Sequence, residues 1–344
     1  LFSLENPMAV CEFLRRLAAD LLQNAAAEAD DPWQLVYEGY DPGSERLREA
    51  LCTVGNGYVA TRGCAPEAAA SESHYPGTYA AGVYNQLGDV VAGRAIENES
   101  LVNLPNWLAL TFRINGSTWF HIDAVQVLSY RQTFDLRHAT LTRTLRFRDD
   151  AGQISTLTQQ RFASMHEPHL LAMRTTLGAE NWSGTVEFRS LLDGAVGNTM
   201  VERYRSLSST HLSGAAIDEI GSGSVILRTE TSQSRIAIAV AARSTVWGED
   251  GLADAQYTAV REGTRGGHDI LVALSAGQSL TCEKVVTIFT GRDAAISEPA
   301  ASARQYLEAA GRYPELHEQH ARAWARLWEQ CNIGLSDNVV AVRV

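Results

Sequence analysis

Residues 141–162 read LTRTLRFRDDAGQISTLTQQRF. In the first arm Leu141, Leu145 and Phe147 share one face, while Thr140, Thr142 and Thr144 share the other. A period of two marks a half-buried antiparallel strand, because successive side chains on a pleated backbone point to opposite faces. The polar run from Asp149 to Gly152 then turns the chain into a second arm. The same pattern extends outward in both directions. Upstream, LALTFRINGSTWFHI (108–122) puts Asn115-Gly116 at a hairpin turn. Downstream come HLLAMRTTL (169–177), GTVEFRSLL (184–192), GSVILRTE (223–230), SRIAIAVAAR (234–243), HDILVALSAG (268–277) and SLTCEKVVTIFT (279–290). Between about residues 104 and 290 these runs follow one another with almost no helix, which predicts a mainly β fold, a large antiparallel β-sandwich.

Helical periodicity is confined to the ends. Asn6 before Pro7 suits a helix start, and Val10, Phe13, Leu14, Leu17 and Leu21 recur at three- and four-residue spacing, predicting a helix over 7–23. AAAEADDP (25–32) reads as a linker. After Pro299 the spacing predicts helices over 301–310 and 314–331, the second with Leu316, His320, Trp324, Leu327 and Trp328 along one side and Glu315, Glu318, Arg322 and Arg326 on the other. The expected organisation is therefore a helix and linker at 1–31, which could be the tail of a preceding module, a sandwich at 32–298 and a helical linker at 299–344.

Composition excludes several partner classes. A net charge of -11, from 29 basic and 40 acidic residues, gives no basic cluster to displace counterions from nucleic acid or an anionic membrane. Five scattered cysteines without a C-x-x-C spacing indicate neither a disulfide framework nor a zinc site, and fit a reducing cytoplasm. No run approaches the roughly 18 apolar residues of a membrane span, and no secretory signal pattern opens the chain. The glycine-rich stretch EALCTVGNGYVATRG (49–63) has neither the Lys of a phosphate loop nor the spacing of a dinucleotide fingerprint.

Four segments carry a resemblance. EALCTVGNGYVATRG (49–63), YPGTYAAGVYN (75–85), ENESLVNLPNW (97–107) and HARAWARLWEQCNIGLSD (320–337), in this order, resemble the N-terminal region of glycoside hydrolase family 65, which holds the maltose, trehalose and kojibiose phosphorylases and related acid trehalases. The resemblance runs from about residue 33 to the end. It implies a mutarotase-like β-sandwich, then a helical linker, then an (α/α)6 barrel that holds the active site. SDNVVAVRV (336–344) looks like the start of the barrel's first helix, and with Leu at residue 1 the expectation is a piece of a longer protein. Family chemistry is inverting: one carboxylic acid protonates the leaving oxygen while a base activates water, or free phosphate attacks. The resemblance places that acid, a Glu, and the phosphate site in the barrel, so no catalytic residue and no cofactor is assigned here. The implied partners are an α-glucosyl disaccharide and phosphate, met through the barrel, and further copies of the full-length protein in a homo-oligomer. The implied function is that of a non-catalytic N-terminal region shaping the active-site rim and an oligomer interface. The alternative is a stand-alone carbohydrate-binding module. Mutarotase-type epimerisation needs an acid and a base placed at a sugar ring, and no such His and Glu pair stands out.

Individual residues keep two readings. Gly55-Asn56-Gly57 makes a tight turn needing positive φ, with Arg62 anchoring that turn, or Arg62 reaches toward a sugar pocket at the domain junction. Asn106 offers a donor and an acceptor to sugar hydroxyls, and Trp107 either stacks on a sugar face or packs in the core. His166-x-x-His169 and His317-x-x-His320 lack the third ligand a metal site requires, so no metal is assigned. Trp324 and Trp328, four apart, read as a packing stripe before a carbohydrate platform.

Overall fold

The computed structural model describes residues 31–331 other than 32, 92 and 200–207. The helix expected over 7–23 and the 336–344 segment lie outside the described residues. Among those described, the chain forms β1 (Gln34–Glu38), α1 (Pro42–Leu51), β2 (Val54–Gly55), β3 (Val59–Thr61), β4 (Thr78–Ala80), β5 (Tyr84–Val91), β6 (Arg94–Leu101) and β7 (Leu110–Ile114). Then follow β8 (Gln126–Asp135), β9 (Thr140–Arg148), β10 (Ile154–Ala163), β11 (Leu170–Ala179), β12 (Gly184–Asp193), β13 (Leu212–Gly221) and β14 (Ser224–Thr231). The last elements are β15 (Ala237–Gly248), β16 (Gly251–Leu252), β17 (Gln256–Glu262), β18 (Arg265–Leu274), β19 (Ser279–Thr290), α2 (Pro299–Ala309) and α3 (Tyr313–Cys331).

Ten of these strands form one sheet in the order β1-β8-β9-β10-β11-β19-β15-β14-β13, with β16 on β15, and four form a second sheet in the order β17-β18-β12-β7. The expected β-sandwich is what the chain forms. Leu141, Leu145 and Phe147 of β9 are all buried, as their shared parity requires, and β10 runs back antiparallel with Leu157 opposite Leu145. Asn115 and Gly116 both take positive φ, 51° and 71°, so the expected turn is present. The arm after it is not a strand. Phe120 instead folds inward to stack on Phe112 at 4.7 Å and meet Phe147 at 4.9 Å, and β7 pairs with β12.

The large sheet is covered on both faces. On one side Leu145, Leu157, Met173 and Val240 meet Phe112, Phe188 and Ile270 of the smaller sheet in the main core. On the other side Phe162, Ala172, Ala241, Val285 and Phe289 receive Ala303 and Leu307 of α2 and Tyr313 and Leu316 of α3. Central strands are therefore buried along most of their length, as β19 is, whereas the edge strand β17 is largely exposed. On α3, Glu315, Glu318, Arg322 and Arg326 face solvent. The Trp324, Leu327 and Trp328 stripe is half-buried; the Trp328 indole donates to the Arg137 carbonyl at 2.9 Å and meets Trp33 edge-on at 4.9 Å.

The turn at residues 55–57 differs in one respect from its expected form. Gly57 takes φ 88°, where a β-branched side chain would be strained. The anchor, however, is Asn56. Its side-chain oxygen accepts from the amides of Tyr58 and Val59, and its nitrogen donates to the carbonyls of Ser164 and Pro168. Arg62, the first residue after β3, bonds elsewhere, to the Tyr75 and Arg46 carbonyls.

Candidate functional site

Three of the four family-like segments meet at one end of the sandwich. The Arg62 amide donates to the Gly77 carbonyl at 2.8 Å, and the Leu104 amide to the Thr78 carbonyl at 2.8 Å. The Asn103 side chain accepts from the Thr78 amide at 3.0 Å and donates to the carbonyls of Pro76 and Gly197. The Tyr75 hydroxyl also donates to Gly197, at 2.9 Å, and receives the Tyr79 hydroxyl at 3.2 Å. An asparagine with both donor and acceptor is suited to splicing extended segments that share no ladder. The described part of the fourth segment, residues 320–331, lies apart, on α3.

The Arg62 guanidinium is buried under α1. Nε donates to the Tyr75 carbonyl at 3.1 Å, Nη2 donates to the Arg46 carbonyl at 2.8 Å, and the Glu49 carboxylate stands 3.6 Å away. Asn106 forms a backbone bridge with Asp193, and its side-chain oxygen accepts from the Leu108 amide at 2.9 Å. Trp107 is 0% exposed in the main core, with its indole N–H unpartnered. The structure thus places all three residues in the interior, with Arg62 and the 103–107 segment joined through residues 75–78.

A layer of buried charge, which reading the sequence had not singled out, fills the space between α1, the 62–77 segment and the large sheet. Glu45 pairs with Arg48 at 3.2 Å and Glu67 with Arg143 at 2.7 Å; Gln159 also accepts from Arg143, at 2.8 Å. Burial raises the Glu45 carboxyl above the usual range, against the opposing pull of Arg48. Glu49 accepts from His74 Nδ1 at 2.8 Å and from the Tyr75 amide at 2.9 Å. Burial lowers the His74 pKa, but the Glu49 hydrogen bond and charge outweigh it, and the net shift is upward.

Glu49, Cys64 and His74 bring a carboxylate, a thiol and an imidazole within 4.8 Å of one another, the one such group among the described residues. As ligands they are poorly placed. The Glu49 oxygens are already engaged by His74, Tyr75 and Arg62, a guanidinium stands where a second cation would be repelled, and burial holds the Cys64 thiol protonated. Of the sequence-marked histidines, His166 is exposed, and His169 stacks on Phe289 at 3.9 Å while donating to the Ile288 carbonyl. His320 is fully buried. Its Nε2 donates to the His138 carbonyl and its Nδ1 accepts from the Met165 amide at 3.0 Å, so both nitrogens are committed and the ring is neutral. Burial drives its pKa down to about 4. His317 binds the Thr140 hydroxyl at 3.1 Å. A surface cleft lies between Trp33, Arg137, His138, Trp328 and Glu329, with the Arg137 guanidinium 5.3 Å over the Trp33 ring.

Comparison with known proteins agrees with this architecture. An uncharacterised glycosyl hydrolase of Mycobacterium tuberculosis is 64% identical over 343 residues, an alignment covering all of this chain and 26% of that protein. The trehalose 6-phosphate phosphorylase of Lactococcus lactis is 26% identical over 302 residues, covering 88% of this chain and 37% of the relative. A solved structure of a candidate kojibiose phosphorylase from the human microbiome superposes with a TM-score of 0.74 at 16% identity, over 87% of this chain and 38% of that one. The chain therefore spans about a quarter to two fifths of the length of these proteins. The glycosyl hydrolase family 65 N-terminal domain profile matches residues 35–327, and the chain belongs to that family.

Proposed function

We propose that the chain is the non-catalytic N-terminal region of a cytoplasmic enzyme that cleaves α-glucosyl disaccharides with phosphate or water as acceptor. In this reading it shapes the rim of an active site built by another part of the full-length protein and contributes to an oligomer interface. The observation that carries the reading is the extent of the match: the family's N-terminal domain accounts for residues 35–327, while the chain spans 26% of the M. tuberculosis relative and 37% of the L. lactis phosphorylase.

The buried carboxylates support it. Glu45, Glu49, Glu67 and Glu283 face Arg48, Arg62, Arg143 and Arg312 within 4 Å, an arrangement suited to structural ion pairs. A general acid must instead present its proton to a substrate within hydrogen-bond reach. We read Arg62, Asn106 and Trp107 as the fixings that hold the 62–107 segment beneath the rim. The β5–β6 hairpin, a separate two-stranded sheet with Val90 76% and Tyr84 41% exposed, is the element we assign to contact with the rest of the full-length protein.

Calorimetric titration of kojibiose, maltose and trehalose into the chain tests this reading against that of a stand-alone sugar-binding module. The rim reading expects no saturable heat up to millimolar sugar. A saturable isotherm with any of the three would favour the module.

A further inference from the structure

The sequence holds 29 basic residues, and all but one are arginine. The single lysine, Lys284, stands in the middle of β19 and is 0% exposed. Its cross-strand neighbours in the large sheet are Met173 of β11 and Ser244 of β15. Cys282 and Val286, which share its parity, lie in the main core, so its side chain enters the space between the two sheets. There Nζ donates to the Leu191 carbonyl at 2.7 Å and to the Ala109 carbonyl at 3.1 Å.

Those two carbonyls mark a bulge. β7 and β12 pair at Leu110 and Ser190, and the next backbone bridge joins Asn106 to Asp193. Three residues, Trp107 to Ala109, therefore lie opposite two, Leu191 and Leu192. The extra residue breaks the alternation of the strand, and Trp107 and Leu108 are buried in succession, 0% and 1% exposed. The Lys284 amine ties this irregular backbone to the large sheet, at the foot of the 103–107 segment.

The partners of the amine define its state. A neutral amine has two N–H groups and an ammonium three. Among the described residues Nζ has two acceptors, which satisfy the first and leave the second with a stranded donor. Arginine would bring five donors and a charge it cannot shed, which accounts for lysine at this one position. The titratable group acting on Lys284 is the Cys282 thiol, which burial pushes up to about 12 and so keeps uncharged. Burial also raises the Tyr257 phenol of β17. The other charged groups of the packed elements have partners of their own: His268 of β18 has Glu219 at 3.1 Å, Asp193 of β12 has Arg265 at 2.9 Å, and Glu283, on the opposite face of β19, has Arg312 at 2.9 Å. Burial accordingly lowers the Lys284 pKa to about 7.

We propose that Lys284 is a positioning residue: as an uncharged amine it pins the bulge at 107–109 to the large sheet, and uptake of a proton works against that contact. That the bulge lies beneath an active-site rim rests on the function proposed above, whereas the strut rests on the sandwich alone. The sign follows from the two states. The unfolded chain keeps its lysine proton up to about pH 10.4, the folded chain only to about 7. The stability tied to this group is therefore fully present above the unfolded value, is lost as pH falls toward the folded value, and changes little below it.

With one lysine in 344 residues, 13C-lysine labelling yields a Cε signal from this amine alone. In the folded chain it should titrate with a midpoint near 7. The unfolding equilibrium constant of the parent, divided by that of Lys284→Met, should fall roughly tenfold between about pH 7 and pH 8.5. Hydrogen exchange over residues 107–110 and 191–193 should be about tenfold or more faster in Lys284→Met, with β13 and β14 unchanged. A signal that titrates near 10, a ratio that is flat with pH, or unchanged exchange at the bulge overturns the proposal. The titration uses the unmodified chain and decides the matter even if the variant fails to fold. None of these readouts involves activity, so they hold or fail separately from the rim reading.

Discussion

Glu67→Leu is expected to lower the unfolding free energy by about 3 to 5 kcal/mol, the usual cost of stranding one member of a buried ion pair. The Glu67 side chain is 1% exposed and that of Arg143 6%, with 2.7 Å between them. Removing the carboxylate leaves Arg143 without a counter-charge in a layer that also buries Arg161. Arg143→Met alone should be comparably harmful, because Glu67 would then be the stranded ion. The double variant Glu67→Leu/Arg143→Met should recover much of the loss, since a buried pair is worth little against apolar residues of similar volume. Urea midpoints with unchanged slopes would measure this cycle. Two single variants that unfold at the parental midpoint would mean that the layer is open to water.

The second large effect is one of pH, centred on His320. Its folded-state pKa of about 4 lies below the unfolded value near 6.5 because burial penalises the imidazolium. The group therefore contributes stability that is fully present above about pH 6.5 and is lost as pH falls through the folded value near 4. The slope should approach about 1.4 kcal/mol per pH unit within that window, for a total of about 3 kcal/mol. His317, also shifted downward by burial, adds to the loss, and His74, shifted upward, opposes it. The difference between the parent and His320→Gln isolates the His320 contribution, and it should shrink steadily from pH 6.5 to 4. Protonation removes the acceptor for the Met165 amide and puts charge against Phe162, which stacks on the ring at 4.4 Å. Loss of α3 contacts should thus precede global unfolding on acidification. Hydrogen exchange that is uniform across the chain between pH 6.5 and 4 would contradict this.

How much of this was legible beforehand can be traced residue by residue. Long strands with a buried face announce themselves by parity, and β9 through β12 follow their sequence runs within a residue or two. β13 did not: Gly214 takes φ 66° and the register shifts twice against β14, so the period of two is broken along its length. β17 is an edge strand with few buried residues and carries no apolar face to read. The helix α1 was missed although DPGSERLREAL carries a start signal, an Asp41 cap accepting from the Gly43 amide at 3.0 Å followed by Pro42.

The charged layer was partly visible as well. Leu141, Arg143, Leu145 and Phe147 share one parity on β9, and Leu157, Gln159 and Arg161 share one on β10, so two arginines were bound to point inward with the apolar residues. Their partners were not legible in the same way. Glu67 lies in a loop 76 residues before the Arg143 it meets, and no local spacing encodes that contact. Arg62 shows the same limit: three hydrogen bonds fix its segment to residues 46, 75 and 77, none of which a turn-centred reading would select.

We propose that this chain belongs to a disaccharide-cleaving enzyme without itself performing the chemistry. The most direct measurement is an assay of the purified 344-residue chain for glucose or glucose 1-phosphate release from kojibiose, maltose and trehalose, with and without phosphate. The polypeptide extended to the length of its M. tuberculosis relative is assayed alongside it. The account predicts no turnover by the chain and turnover by the longer protein. Release that tracks the 344-residue chain through successive purification steps would contradict it.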